Sequence, residues 1–184
     1  MKEAIQDYTR AIEINHNYEM AYYNRGLVYI KEGKIEEAIK DYTRVIELSP
    51  DDIDAYFNRA FAYQQQGKIH EVIKNYTKVI ELSPNDAEAY FNRGYAYSTQ
   101  GEIVKATKDY TTAIDLNPNY VNAYCNRGNI YRDQGEREKS IQDYTKAIEV
   151  DPNHASAYFN RGVVYKELGE IEKAIKDYIR ATEN

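Results

Sequence analysis

The hexapeptide AYFNRG stands at residues 89–94 and again, unchanged, at 157–162. Close variants occupy 21–26 (AYYNRG), 55–60 (AYFNRA) and 123–128 (AYCNRG), so one motif returns every 34 residues. A fixed period of that length marks an array of supersecondary units, and it decides the fold before local propensity is weighed. The remaining punctuation falls in step. All nine glycines lie in two columns: Gly26, Gly94, Gly128 and Gly162, then Gly33, Gly67, Gly101, Gly135 and Gly169. The four prolines form another, Pro50, Pro84, Pro118 and Pro152. Sixteen of the twenty tyrosines fall in three more, the columns of Tyr22, Tyr29 and Tyr8.

Within residues 53–86 the pattern predicts two helices. The first runs from about Ile53 to Gln66, with Tyr56, Ala60 and Tyr63 on one face. Gly67 follows it, where a left-handed cap suits glycine. The second runs from about Ile69 to Leu82 and stops at Ser83-Pro84, since proline lacks an N–H and restricts the residue before it. Asn85, with Asp51, Asn119 and Asn153 in the same place, is the expected N-cap of the next first helix. One such pair cannot bury its apolar faces, but stacked copies can. The tyrosines of the Tyr22 and Tyr29 columns are expected to be core. The small residues are expected to bring paired helices close, Gly26 against Ala38, Gly94 against Ala106 and Gly162 against Ala174.

An aromatic, then glycine, aromatic, alanine, aromatic, alanine and proline, in that order over 34 residues and two helices, resembles the tetratricopeptide repeat. The resemblance covers the chain as a half unit, 1–18, that matches only a second helix (Ala4, Tyr8, Ala11), then units 19–52, 53–86, 87–120, 121–154 and a truncated 155–184. It implies a single all-α array, a right-handed helical solenoid of stacked antiparallel helix pairs. Pentatricopeptide repeats, which bind RNA, are a neighbouring class; the 34-residue period and the pI of about 5.2 argue against them. The array starts on a second helix and carries no polar capping helix at Asn184, so it is expected to be a piece of a longer array or protein, or to associate through its uncapped terminal helices.

Arg25, Arg59, Arg93, Arg127 and Arg161 sit where many tetratricopeptide repeats carry leucine, at the margin of the buried face. A partly buried cation needs a counter-charge. The sequence offers Asp41, Asp109, Asp143 and Asp177 at constant spacing, with Asp7 in the half unit and Asn75 breaking the series. A structural ladder of Arg–Asp pairs is expected. Glu47, Glu81, Asp115 and Glu149 are rival partners. Immediately before each arginine stands an asparagine: Asn24, Asn58, Asn92, Asn126 and Asn160. An amide both donates and accepts, so such a column suits the main chain of an extended peptide. In peptide-binding members of the family the equivalent column contacts bound peptide, and the resemblance implies the same concave groove here. It also directs Tyr23, Phe57, Phe61, Phe91, Tyr95 and Phe159 toward that groove, as the aromatic anchors that binding surfaces favour. Relatives that grip an acidic C-terminus place lysines one and four residues before the asparagine. Here those columns read Tyr23, Phe57, Phe91, Cys125, Phe159 and Met20, Asp54, Glu88, Asn122, Ser156, so that function is not expected.

Other chemistry finds little support. His16, His70 and His154 are scattered and no Cys joins them, so no metal is expected. The single cysteine, Cys125, makes no internal disulfide. No glycine-rich phosphate loop and no isolated carboxylate pair is present, so neither catalysis nor a cofactor is expected. A net charge of −6 with interspersed signs speaks against nucleic acid or a membrane surface as partner. No signal peptide or apolar span is visible in 184 residues, which fits a cytoplasmic protein. The expectation is a non-catalytic scaffold that binds a peptide or helix of a partner protein. The alternatives are a docking arm of a larger enzyme and a self-assembling scaffold.

Overall fold

A computed structural model describes residues 1–183, which form eleven α-helices and no strands. They are α1 (Lys2–Ile14), α2 (Glu19–Lys31), α3 (Ile35–Leu48), α4 (Ile53–Gln65), α5 (Ile69–Leu82), α6 (Ala87–Thr99), α7 (Ile103–Leu116), α8 (Val121–Asp133), α9 (Arg137–Val150), α10 (Ala155–Glu167) and α11 (Ile171–Glu183). The fold is an all-α helical solenoid, and the chain divides into two compact units, Met1–Ala89 and the residues from Tyr90 onward. In the first, each helix from α1 to α5 packs on the next; in the second, the same holds from α7 to α11.

Each first helix ends the same way. Gly33 takes φ +73°, which costs a side-chain-bearing residue far more than glycine. There the Lys34 amide donates to Tyr29 O at 2.9 Å and the Gly33 amide to Ile30 O at 3.0 Å. That pair of bonds satisfies two carbonyls the helix would leave open. Because the turn is this tight, the second helix folds straight back on the first.

The N-caps fall one residue later than the sequence suggests. The Asp52 amide donates to Ser49 O at 3.1 Å, closing a turn that uses Pro50 and Asp51 as its central residues. Asp52, not Asp51, is therefore left to accept from the Ala55 amide at 2.7 Å. Asp86 in place of Asn85 does the same for Ala89, and His154 Nδ1 in place of Asn153 for Ala157. Tyr18 and Tyr120 precede α2 and α8 with no side-chain cap bond, so Asn119 is not a cap either.

The deepest aromatics are those of the second helices. Tyr42, Tyr76, Tyr110 and Tyr144 are at most 2% exposed, whereas the Tyr22 and Tyr29 columns are mostly half-buried. Glycine explains the difference. A Cβ on Gly26 would stand 2.8 Å from Tyr42 Cε1, and one on Gly128 would stand 2.9 Å from the same atom of Tyr144. The first helix thus lies directly over the tyrosine ring of the second. Gly26 meets Tyr42 rather than Ala38, and Gly94 meets Tyr110 rather than Ala106. Gly162 also meets a tyrosine first, Tyr178, with the Ala174 carbonyl behind it.

Tyr144→Ala is expected to cost roughly 3–5 kcal/mol in a urea titration followed by circular dichroism, the range for a fully buried aromatic. Tyr158→Ala, at a half-buried position of the Tyr22 column, is expected to lose well under that. Equal losses would contradict the assignment of the core to the second-helix column.

Candidate binding faces

Arg25, Arg127 and Arg161 of the hexapeptide join three helices each. Arg25 on α2 donates from Nε and Nη2 to Asp41 on α3, both at 2.8 Å, and from Nη1 to Thr9 on α1 at 3.0 Å. Arg127 on α8 repeats this with Asp143 on α9 at 2.8 and 2.7 Å and Thr111 on α7 at 3.0 Å. Arg161 on α10 does so with Asp177 on α11 and Thr145 on α9. Arg93 holds Asp109 bidentately at 2.7 and 2.9 Å. These side chains are about 15% exposed and their aspartates 4–7%. The rival acids turn outward: Glu47, Glu81 and Glu149 pair with Arg44, Lys78 and Lys146 one helical turn away.

Two tyrosines, mostly half-buried, flank each paired guanidinium, as Tyr22 and Tyr29 do for Arg25 at 5.6 and 5.7 Å. The hydrogen bond to aspartate raises Arg25 and Arg161 above the ordinary arginine range. In Arg93 and Arg127 burial is the largest influence and acts downward, but the bond and charge of the aspartate together outweigh it.

The asparagine column lies beside this clamp, half-buried throughout. Three of its amides bond to other helices. Asn58 Nδ2 donates to Tyr23 Oη at 3.0 Å, Asn126 Nδ2 to Tyr110 Oη at 3.4 Å, and Asn160 Nδ2 to Asn129 Oδ1 at 3.3 Å. The aromatic columns divide. Phe57 and Phe91 are half-buried, with ring centroids 5.2 Å from Tyr76 and 5.8 Å from Tyr110. Tyr23 stands edge-on to Tyr42 at 6.0 Å. Phe61, Tyr95 and Phe159 are 41, 48 and 54% exposed.

In the second unit a cavity of about 400 Å³ brings Tyr95 and Asn126 together with Ile103, Tyr110, Asn129 and Ile130. Asn129 stands, with Cys125 and Arg132, where the sequence has the groove turn from aromatic to polar. Its Oδ1 accepts from Tyr144 Oη at 2.7 Å as well as from Asn160, which leaves its NH2 without a partner among the described residues. Asn126 donates one amide N–H to Tyr110, and its carbonyl oxygen accepts no hydrogen bond among the described residues. The cavity therefore offers one amide acceptor and one amide donor above an aromatic wall.

Cys125 lies 4.0 Å from His154 Nδ1, a proximity that sequence distance hid. Burial, with Asp143 and Asp151 nearby, pushes its thiol up to about 12, and His154 Nδ1 is engaged by the Ala157 amide. A thiol so placed stays protonated at neutral pH. No helix among the described residues is long and apolar enough to cross a membrane.

The family profile described as TPR repeat matches residues 1–33, 27–67, 65–101 and 128–169. Two profiles described as tetratricopeptide repeat match 87–120 with 155–184, and 109–142. No curated protein matches the chain. Among solved structures, a crystal structure of MamA is 29% identical, covers 86% of this chain and 92% of its own, and superposes with a TM-score of 0.81. MamA from residue 41 onward, from Desulfovibrio magneticus RS-1, is 19% identical over 90% and 93%, with a TM-score of 0.82. YrrB, described as a TPR protein with an unusual peptide-binding site, is 23% identical over 96% and 91%, with a TM-score of 0.77. The last two share the fold.

Removing one member of a clamp should be worse than removing both. Asp143→Ala is expected to cost about 3 kcal/mol, because Arg127 is left partly buried without a counter-charge. Arg127→Leu/Asp143→Ala is expected to regain most of it. Denaturant midpoints of the two single variants and the double variant measure the difference.

Proposed function

Since the chain belongs to the tetratricopeptide-repeat family, we propose that it is a non-catalytic interaction scaffold whose concave groove holds a peptide or helix of a partner protein. The observation that carries the reading is the exposure of Phe61, Tyr95 and Phe159 beside an asparagine column. Large aromatics left open to water are what binding surfaces provide and what a free monomer has no use for. Asn126 Oδ1 and Asn129 Nδ2 match the N–H and C=O of a peptide main chain, while Tyr95, Ile103 and Ile130 receive an apolar side chain. Phe57 and Phe91, held by Tyr76 and Tyr110, shape the floor of the groove. The aspartate-paired arginines, their bonds already spent, act in stacking and not in recognition.

A peptide-display selection against the chain tests this. The reading expects enriched sequences that bind the wild type and lose at least tenfold affinity for Phe61→Ala/Tyr95→Ala at unchanged helicity. Failure to enrich any sequence, or equal binding by that variant, would overturn it.

A second reading, self-association, rests on α11. Ile171, Ile175 and Ile179 are 51, 53 and 51% exposed along one stripe. Ile179 also stands where Thr9, Thr43, Thr77, Thr111 and Thr145 occupy the preceding second helices, so this face offers an apolar contact in place of a hydroxyl acceptor. Light scattering across concentration is expected to report association that Ile175→Glu abolishes. A strict monomer at high concentration would remove this reading and leave the first intact.

A further inference from the structure

One arginine of the hexapeptide has no carboxylate. Arg59, on α4, meets Asn75 where its four counterparts meet aspartate. Asn75 Oδ1 accepts from Arg59 Nε at 2.9 Å, and Thr43 Oγ1 accepts from Nη1 at 3.1 Å. The NH2 of Asn75 is turned back on its own helix and donates to Glu71 O at 2.7 Å. Nη2 donates to the second aspartate oxygen in Arg25, Arg93, Arg127 and Arg161. In Arg59 it makes no hydrogen bond among the described residues. Burial pulls Arg59 below the ordinary arginine range, the opposite direction from the four paired arginines, and the charge of Glu71 acts on it without forming an ion pair.

This guanidinium opens into a groove of about 390 Å³ lined by Tyr56, Lys74, Asn75, Lys78 and Glu81. Lys78 is neutralised by Glu81 at 3.0 Å, so Arg59 and Lys74 remain as two cations without an ion-pair partner among the described residues. The matching groove around Arg93 differs. There Asp109 neutralises Arg93 and Glu102 neutralises Lys105, so Lys108 is the one cation without an ion-pair partner among the described residues. Around Arg161 the same holds of Lys176 among the described residues.

We propose that the groove at Arg59 binds a phosphate group, held by Arg59 Nη2 and Lys74. A partly buried cation is favoured by a counter-charge in contact with it, and among the described residues none forms an ion pair with Arg59. Two uncompensated cations call for a dianion, which a phosphate monoester approaches at neutral pH and a single carboxylate does not. The donor set is also suitable: a guanidinium fork beside a mobile ammonium is a common arrangement for phosphate oxygens. The site shares no residue with the aromatic face, so its test stands apart from that of peptide binding.

The experiment is calorimetry, with amide chemical shifts, on the full chain at constant ionic strength. The probes are inorganic phosphate, O-phosphoserine and acetate. Saturable binding of phosphate with shifts confined to α4 and α5 is expected, and at least fivefold weaker binding of acetate. Asn75→Asp gives Arg59 the carboxylate of its counterparts; it is expected to raise Tm and weaken phosphate at least tenfold. Lys176→Gln, in a matching groove, is expected to leave binding unchanged. O-phosphoserine binding tighter than inorganic phosphate would support delivery on a side chain, and the reverse would support a free ion; either keeps the site. Non-saturating shifts spread over all repeats, acetate binding as tightly as phosphate, or Asn75→Asp titrating like the wild type would overturn it.

Discussion

A guanidinium carries five N–H donors in one plane, and this fold uses that plane to join three helices at a time. In Arg25, Nε and Nη2 reach forward to the aspartate of the partner helix, and Nη1 reaches back to a threonine on the helix before. The threonine is prepared for this. Thr9 Oγ1 donates to Ile5 O at 2.7 Å, four residues back in its own helix, so an oxygen lone pair faces the arginine. Thr43 and Thr111 are arranged alike. Leucine in the arginine's place could bury area against both neighbours, but it could not register them. Directional bonds at both ends tie the arginine's helix both to its partner and to the helix before it.

The clamp needs the helices close, and glycine allows it. With no side chain at Gly26 or Gly128, the first helix settles on the tyrosine ring below, and the arginine one residue earlier is brought within reach of the buried aspartate. Where the column carries Ala60, the clamp is also weaker, with one bond to Asn75 in place of two to aspartate. Gly128 adds a local variation: Ser140 Oγ donates to the Gly128 carbonyl at 2.9 Å, a bond possible only at this separation. The flanking tyrosines shield the guanidinium from water on both sides. Their half-burial is thus a consequence of their work as covers. It explains why the columns that look most like core in the sequence are not the deepest in the structure.

Much of this could be read from the period alone. Helix limits, glycine turns and helix pairing follow from local rules that act within about ten residues, and a phase-locked repeat states each rule five times. The errors came where one residue competes with its neighbour. Asp51 and Asp52 are equally good caps by type; only the turn around Pro50 decides between them. Asp41 and Glu47 are equally acidic, and only the direction of a side chain on α3 separates a buried partner from an outward one. The threonine column is as regular as the aspartates, yet nothing in its sequence marks it as a partner of arginine, since threonine carries no charge. Asn129 is legible as a polar position in a column that elsewhere holds Leu27, Phe61, Tyr95 and Val163, but nothing in the sequence says that Tyr144 and Asn160 take its oxygen.

The two kinds of surface differ in whether they are internally satisfied. Around Arg25, Arg127 and Arg161 the guanidinium already donates to an aspartate and a threonine, so a ligand would have to displace a bond already made. Beside the asparagines the balance is reversed: amide groups are half used, and aromatic rings stand partly in water. A surface gains free energy from a partner only where something is left over, whether exposed apolar area or a group without its complement. That criterion distinguishes satisfied from unsatisfied groups even between columns adjacent in sequence, as Asn126 and Arg127 are, and it is what the proposed reading rests on. It also shows why replacing one aspartate with asparagine in an otherwise uniform array matters: it turns a closed contact into an open one.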